Sequence, residues 1–522
     1  MSAPPADVDP AVLRQLRYMF EAGAWVLLES AIADLPSDLR WVFESGAVTI
    51  EQLAAIHDAL GVTSATDIAA ELRRRGLRGV AGLDETTVEK VSAAMPTLRA
   101  AVARIPLGRA MTITDPVVAR LKDAPGVEAV EFAGSLRRGR ELVGDIEIIA
   151  PVDDPAPVLD HVLSMGDIAH VLHRSERRVY FLVDRVQIGV RCPATADAGA
   201  TLLHLTGSAA HIDQLLDRAR ANGFELGPEG LIRGEGEPIA RTEQEIYEAL
   251  GLDWIPPEMR EGDGEIDAAA AHQLPVLVSR GDIRGDLHMH TQWSDGRDTT
   301  KTMVGRCADL GYEYIAITDH SQRAAASRTL TVDGVKKQAE EIAKLRERFP
   351  AMTILHGCEV DILGDGKLDF ADRILERFDI VLASLHERLA QSPDQLLKRY
   401  FAAMRHPLVS IITHPTNRIL PHRAGYELDW DAFFAAAVDT RTIVEIDGAP
   451  AHLDMNGTLA RRAIAAGVTV SVDSDCHRAD MLDRQMALGI TMARRGWVEA
   501  RHVVNTRPIA QVRAAISAKR EG

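Results

Sequence analysis

The sequence predicts a multidomain protein of α+β and α/β character: a small helical N-terminal domain, a mixed α+β middle and a C-terminal parallel β/α barrel. Three observations predict it. At 522 residues the chain exceeds what one ordinary core encloses. The apolar spacing changes along the chain, from three-and-four periodicity near the start to a strict succession of strands and helices at the end. A Pro-Pro, Gly-rich and charged stretch near residues 255 to 283 separates the two halves.

Composition bounds the class before any element is placed. Hydrophobic residues make up 46% and charged residues 26%, the balance of a globular protein with a sizeable core. The formal net charge of -17 argues against general nucleic-acid stickiness, because such affinity comes from Lys and Arg neutralising phosphates. Any DNA contact is therefore expected to be local, and bound cations would offset part of the acidity. Cys192, Cys307, Cys358 and Cys476 lack CxxC spacing, so neither a disulfide framework nor a thiolate zinc site is indicated. No run approaches the ~18 apolar residues that span a bilayer. The start, "MSAPPADVDP", has neither the basic nor the apolar region of a signal peptide, and a cytoplasmic location is expected.

The helical part covers residues 1 to 100. "AVLRQLRYMFEAGAWVLLESAIADL" and "ATDIAAELRRRGL" carry apolar residues at helical spacing. From 101 to 255 the strand-like stretches "VEAVEFAGS", "DIEIIAP", "RRVYFLV" and "RVQIGVRC" mix with the helices "PAPVLDHVLSMG" and "AHIDQLLDRARANG". A linker is expected over 256 to 283. Beyond it, residues 284 to 522 hold seven strand-like stretches, "DLHMH", "YIAITDH", "TILHGCEVDI", "IVLASLH", "SIITHP", "TIVEIDG" and "TVSVDSDCH", with helices such as "DGVKKQAEEIAKLRERF" and "NGTLARRAIAAG" between them. That alternation predicts a parallel barrel.

Each of these seven strands carries a metal-binding residue type at or near its end: His288 and His290, His320, Glu359, His386, His414, Asp447, then Asp475 and His477. The carboxyl ends of barrel strands converge on one face, so residues remote in sequence can meet there. His288 and His290 are spaced i and i+2, which puts both side chains on one side of a strand, and Asp475 and His477 repeat the spacing. His356, His406, His422 and His452 fall outside this register and read as surface or supporting residues. Mixed imidazole and carboxylate donors suit Zn, Mn or Fe better than Ca or Mg.

In this order, "DLHMHTQWSDG", "ITDHS", "GCEVDI", "ASLH", "THP" and "DSDCH" resemble the metal motifs of the PHP domain, named for polymerase and histidinol phosphatase. The resemblance implies a distorted (β/α)7 barrel with up to three divalent ions. The ligands it implies are His288, His290, Asp295, His320, Glu359, His386, His414, Asp475 and His477. Such ions support phosphoester hydrolysis. Arg418, in "THPTNR", is a candidate for holding a substrate phosphate.

Upstream, "GSLRRGRELVGDIEII" resembles the palm signature of family X DNA polymerases, and "LTGSAAH" resembles that family's segment beside the nucleotide. The order of parts is similar to the bacterial PolX type, and the middle unit is then a nucleotidyltransferase-like palm and thumb. This resemblance implies Asp145 and Glu147 as catalytic carboxylates, with Ser135, Arg138, Gly207 and Ser208 as DNA or nucleotide contacts. It also exposes departures. The third carboxylate is expected at position 189, where Gly189 stands, and His204, Leu205, Ile212 and Leu216 replace the usual aromatic, Asn and Arg positions. "LRGVAGLDETTVEKV" resembles a reduced helix-hairpin-helix whose Gly-x-Gly is interrupted by Leu83-Asp84.

The reading favoured by these residues is a metal-dependent 3′-5′ exonuclease and DNA end-processing enzyme of repair, with polymerase activity weak or lost. Its expected partners are DNA with 3′ ends, gaps or damage. The alternatives are a gap-filling polymerase, a small-molecule phosphatase of the histidinol-phosphatase type acting on small phosphoesters, and a non-catalytic DNA-binding repair factor.

Overall fold

The structure, a computed structural model, describes residues 42 to 521 except 43–45, 61, 63–66, 69, 70, 73–76, 78, 79, 102, 103, 185, 235–237, 325–327 and 387–390. The helix expected over 11 to 35 lies outside the described residues, as does part of the one expected over 65 to 77. Among the described residues no helix is long and apolar enough to cross a membrane.

The N-terminal helices Ile50–Leu60 and Glu85–Ala101 enclose a small core of Leu53, Ile56, Val80, Val91 and Met95. Thr49 begins the first, its hydroxyl accepting from Gln52 N at 3.2 Å. Asp84 begins the second, its carboxylate accepting from Thr87 N at 2.7 Å. A carboxylate at that helix end occupies an amide that a DNA phosphate would need and repels the phosphate itself.

The middle unit begins with β1 (Ile105–Pro106), helix Leu107–Lys122, β2 (Glu131–Phe132), β3 (Leu142–Val143) and β4 (Ile146–Ile149). Three longer strands follow, β5 (His170–Arg174), β6 (Arg178–Val183) and β7 (Val186–Arg191). The sheet order is β2-β4-β7-β6-β5, with β4 and β7 parallel. β5 was not expected, because "HVLHR" is half exposed and lacks an apolar face. The stretch expected as a strand over "VEAVEFAGS" is extended only at Glu131–Phe132, since Gly134 at φ +61° turns the chain into helix Gly134–Arg137.

Helices Ala198–Thr206 and Ala209–Ala221, the hairpin of β8 (Glu225–Gly227) with β9 (Gly230–Ile232), and helix Glu243–Ala249 share a second core. The stretch 256 to 283 is packed rather than extended: Met259, Ile266 and Ala269 belong to this core, and Arg260 is fully buried against Glu243.

The C-terminal unit is a seven-stranded parallel sheet of β10 (Gly285–Asp286), β11 (Tyr314–Ile317), β12 (Thr353–Asp361), β13 (Ile380–Ser384), β14 (Ile411–Ile412), β15 (Ile443–Asp447) and β16 (Val470–Asp473), in sequential order. Ile-, Val- and Leu-rich strands buried on both faces are what such a sheet requires. The first and last edges meet through a Met289 to Cys476 bridge, with His290 N donating to Cys476 O at 2.9 Å, so the sheet closes into a nearly complete barrel. "DLHMH" is a regular strand only at its start, because the next amides turn to side chains: Leu287 N donates to Asp473 and Met289 N to Thr318. Five surrounding helices are N-capped by Thr299, Thr331, Ser392, Asp429 and Asn456, which accept from the first-turn amides. Val512 and Ile516 of helix Ile509–Arg520 pack with Leu287, Tyr314, Leu382 and Ile411 inside the barrel.

The middle unit sits directly on this barrel. A Cβ on Gly108 would lie 2.6 Å from Pro450 and one on Gly139 within 2.1 Å of Thr491, so only glycine permits the approach. Arg495 donates to Arg138 O and to Glu261, and Arg484 pairs with Asp115 at 2.7 Å.

Candidate metal centre

The loops at the carboxyl ends of the barrel strands line a cleft of about 480 Å³ that includes Asp295, His320, His386, His414, Asp475 and His477. All nine residues implied as ligands converge here. His290, Asp295, His320 and His477 present donor atoms within 4.8 Å of one another, as do His288, His290 and Asp475, and also His320, Glu359 and His386.

Glu359, near the end of β12, stands at the centre. Its Oε2 lies 2.8 Å from His320 Nδ1, 3.4 Å from His288 Nε2 and 3.5 Å from His290 Nε2. Its Oε1 lies 2.9 Å from His414 Nε2 and 3.3 Å from His386 Nε2. One carboxylate thus faces two sets of imidazoles, one at each oxygen. Asp295, at the other rim, lies 3.2 Å from His477 Nε2 and 3.5 Å from His320 Nε2.

Buried carboxylates behind the imidazoles fix their orientation. His288 Nδ1 donates to Glu445 at 2.7 Å and His386 Nδ1 to Asp361 at 2.6 Å, leaving each Nε2 toward the cleft. Asp319 accepts from Thr291 N, Ser294 N, both hydroxyls of those residues and Gln338, which pins the loop that carries Asp295. His414 and Asp475 adopt φ of +26° and +46°. Non-glycine residues are held in that region only where surrounding contacts impose it, and such strain clusters at functional sites.

The electrostatics match a cation-binding cluster. Burial opposes charge on His288, yet Glu445, Asp475 and Glu359 hold its pKa well above the ordinary value. His290 goes the other way, down to about 4, through burial and the neighbouring His320 and His477. Glu359 is held well below the carboxylate range: burial raises it, but His320, His386 and His288 outweigh that. Burial lifts Glu445 to about 8.

Does this donor set fit divalent ions? Glu359 Oε2, His320 Nδ1 and His414 Nδ1 are buried without a hydrogen bond of good geometry, despite the short approach of the first two. Buried polar atoms left so are costly unless something else occupies their lone pairs. Imidazole nitrogens and carboxylate oxygens in this mixture fit borderline divalent ions.

Arg418 is committed elsewhere. Its guanidinium donates to the carbonyls of His452 and Leu453 and lies 3.6 Å from Glu141 of the middle unit. Among the described residues lining the cleft the guanidinium is that of Arg423, whose Nε donates to Asn417 O at 2.8 Å. Arg423 and Asn417, in loops without periodic signal, were not expected at the cleft, and His452, read from the sequence as a surface or supporting residue, lines it. Asp361 was findable, two residues after Glu359 on the same strand face.

The polymerase-like centre is differently furnished. The β4–β7 register sets Gly189 opposite Glu147 and Gln187 level with Asp145, so this face of β7 offers an amide, a glycine and Arg191 but no carboxylate. Glu147 accepts from Tyr180 at 2.6 Å and from Arg191 Nε at 2.9 Å, and Arg191 also pairs with Asp67 of the N-terminal unit at 2.6 Å. A Cβ at Gly189 would lie 2.8 Å from Glu147 Oε2. Arg138 is bound to Glu261 and to Thr206 O. Ser208 caps helix Ala209–Ala221 by accepting from His211 N, and Gly207 lies tight against Ile212. Ser135 is half-buried in helix Gly134–Arg137.

Known proteins bear on both halves. The family model "DNA polymerase beta thumb" matches residues 201–261, and "PHP domain" matches residues 286–447. The DNA polymerase/3′-5′ exonuclease PolX of Bacillus subtilis (strain 168) is 34% identical over 505 residues, 96% of this chain and 88% of that protein. Two proteins called probable phosphatase, from Thermoanaerobacter sp. (strain X514) and Syntrophotalea carbinolica, are 30% and 27% identical over 37% of this chain, and the matches cover 78% and 80% of their lengths. With a polymerase-like thumb, a PHP barrel and likeness along almost its whole length to a PolX protein, this chain belongs to the bacterial PolX family.

Proposed function

We propose that this protein is a metal-dependent phosphoesterase that digests DNA from 3′ ends, a 3′-5′ exonuclease of DNA repair. The observation that carries the reading is Glu359, whose two oxygens each face a separate set of imidazoles at the mouth of the barrel. In this reading the helical domain spans 1–100, the palm and thumb 101–255, and the PHP domain 284–522, with 256–283 a packed connection.

The ions, up to three and of the Mn, Zn or Fe type, would be held by His288, His290, Glu359 and Asp475, by Glu359, His386 and His414, and by Asp295, His320 and His477. Bound there, divalent ions lower the pKa of water and stabilise charge on a phosphoryl group. The chain's own residues do the rest. Glu445 and Asp361 keep Nε2 of His288 and His386 directed at the cleft. Arg423 stands at the wall of the cleft, its guanidinium held by Asn417 O and Oδ1.

Polymerase activity is weak or lost in this reading. Glu147 is locked to Arg191 and Tyr180, and β7 offers no third carboxylate to complete a metal pair. The middle unit then serves to position DNA beside the barrel.

The test is hydrolysis of a 3′-recessed DNA duplex beside that of histidinol phosphate and p-nitrophenyl phosphate. Release of mononucleotides from the duplex at a rate well above phosphate release from the small esters supports the reading. The reverse preference would assign the protein to small phosphoesters and overturn the reading.

A further inference from the structure

The cleft contains a fourth set of donors, built around a histidine outside the nine considered so far. His452, His414 and Asp475 bring ligand atoms within 4.8 Å of one another. His452 lies in the loop after β15, lines the cleft, and its ring stands at 5.2 Å and nearly perpendicular to that of His414.

Three observations distinguish it from a bystander. First, His452 is anchored beside the cleft: its Nδ1 lies 3.1 Å from Asp447 Oδ2. Asp447 is itself fixed, since its Oδ1 accepts from Ala449 N. Second, Asp475 divides its oxygens: Oδ1 lies 3.0 Å from His290 Nε2, whereas Oδ2 lies 3.8 Å from His452 Nδ1, which stands between Asp475 and Asp447. Third, His414 is almost fully buried and its Nδ1 has no hydrogen-bond partner. Arg418 adds precision, because it donates to the carbonyls of His452 and Leu453 and so ties the loop that carries His452 to the loop that carries His414.

We infer that His452 is a metal donor of this protein and holds, with His414 and Asp475, a divalent transition-metal ion beside the Glu359-centred cluster. Two imidazoles and a carboxylate are a donor set that such ions accept. The inference rests on the reading of the cleft as a metal centre.

The test uses the full-length protein, stripped with chelator, reloaded separately with Mn(II), Zn(II) or Co(II), and desalted. Metal per chain is measured by plasma mass spectrometry, and the cobalt form by visible absorption. His452→Ala is expected to retain about one ion fewer per chain than the wild type and to lose part of the cobalt absorption. His452→Gln, which keeps the volume and a donor toward Asp447 but is a poor ligand, is expected to show the same loss while melting at the wild-type temperature. Wild-type stoichiometry and an unchanged cobalt spectrum in His452→Gln would overturn the inference and leave the nine-ligand centre standing. Failure of the wild type to take up any ion would overturn both.

Discussion

Arg191 Nε lies 2.9 Å from Glu147 Oε2, so a guanidinium occupies the charge-balancing place that a metal ion takes beside a polymerase carboxylate. The pair is buried, Tyr180 closes it from one side and Asp67 of the N-terminal unit from another. Breaking a buried pair by removing one partner typically costs 3 to 5 kcal/mol, roughly, because the other charge is stranded. Primer extension with Mg or Mn should therefore be absent, and Arg191→Leu should lower the melting temperature by several degrees. Gly189→Asp should destabilise the fold without producing extension, since its Cβ would meet Glu147 and Tyr180 at 2.8 and 2.7 Å. Templated extension by the wild type would refute this.

Glu359→Gln should be far more damaging than its small change in shape suggests. The amide cannot present two anionic oxygens to the imidazoles on either side. Digestion of a 3′-recessed duplex should fall by at least about 100-fold, which corresponds to about 3 kcal/mol of lost transition-state stabilisation. Retention of full activity at saturating metal would argue against a role for Glu359 in holding the ions.

Asp361→Asn tests the support behind His386 without removing a ligand. The carboxylate accepts from Nδ1 at 2.6 Å, and loss of such a partner typically weakens metal binding by about 10- to 100-fold. The measurement is metal affinity by competition with a chelating dye. An unchanged affinity would mean that packing alone orients the ring.

Acid stability depends on Glu243. Burial raises its pKa, but Arg137 and Arg260 outweigh this and bring it down to about 2. A carboxylate depressed in the folded state stabilises the protein above its unfolded pKa of about 4.5, and that contribution is lost as the pH falls from there through about 2. The contribution is at most about 3 kcal/mol at neutral pH. Glu243→Gln should lower the melting temperature at pH 7 and flatten its fall between roughly pH 4.5 and 2. Parallel melting curves for the two proteins across that range would exclude this role.

Eight of the nine donors were legible because βα alternation sends the strand ends to one face; Asp295, in a loop, was given only by the resemblance to the PHP motifs, and the same register also picked out Asp447, which stands against His452. Their support was legible only where it kept strand register, as Asp361 does beside Glu359. His452 was not, since it lies in a loop whose path is set by Arg418 and Asp447 rather than by any period. Arg418 itself read as a phosphate ligand from its place after His414, whereas its partners are carbonyls and Glu141 of another unit, contacts that no local pattern announces. The stretch 256 to 283 has the composition of a linker, yet a few apolar residues, Met259, Ile266 and Ala269, suffice to pack it into the thumb core. At the polymerase-like centre the missing carboxylate was visible in the sequence, but not the ion-pair network in its place, because Asp67 arrives from a different unit.

The most direct measurement of the central claim is 3′-end digestion of a duplex by wild-type protein and His288→Ala, with metal content determined on the same samples. The wild type should carry transition metal, release mononucleotides from 3′ ends and stop when chelated, while His288→Ala should hold less metal and digest at least about 100-fold more slowly. Equal digestion by the two proteins, or digestion indifferent to chelation, would contradict the account.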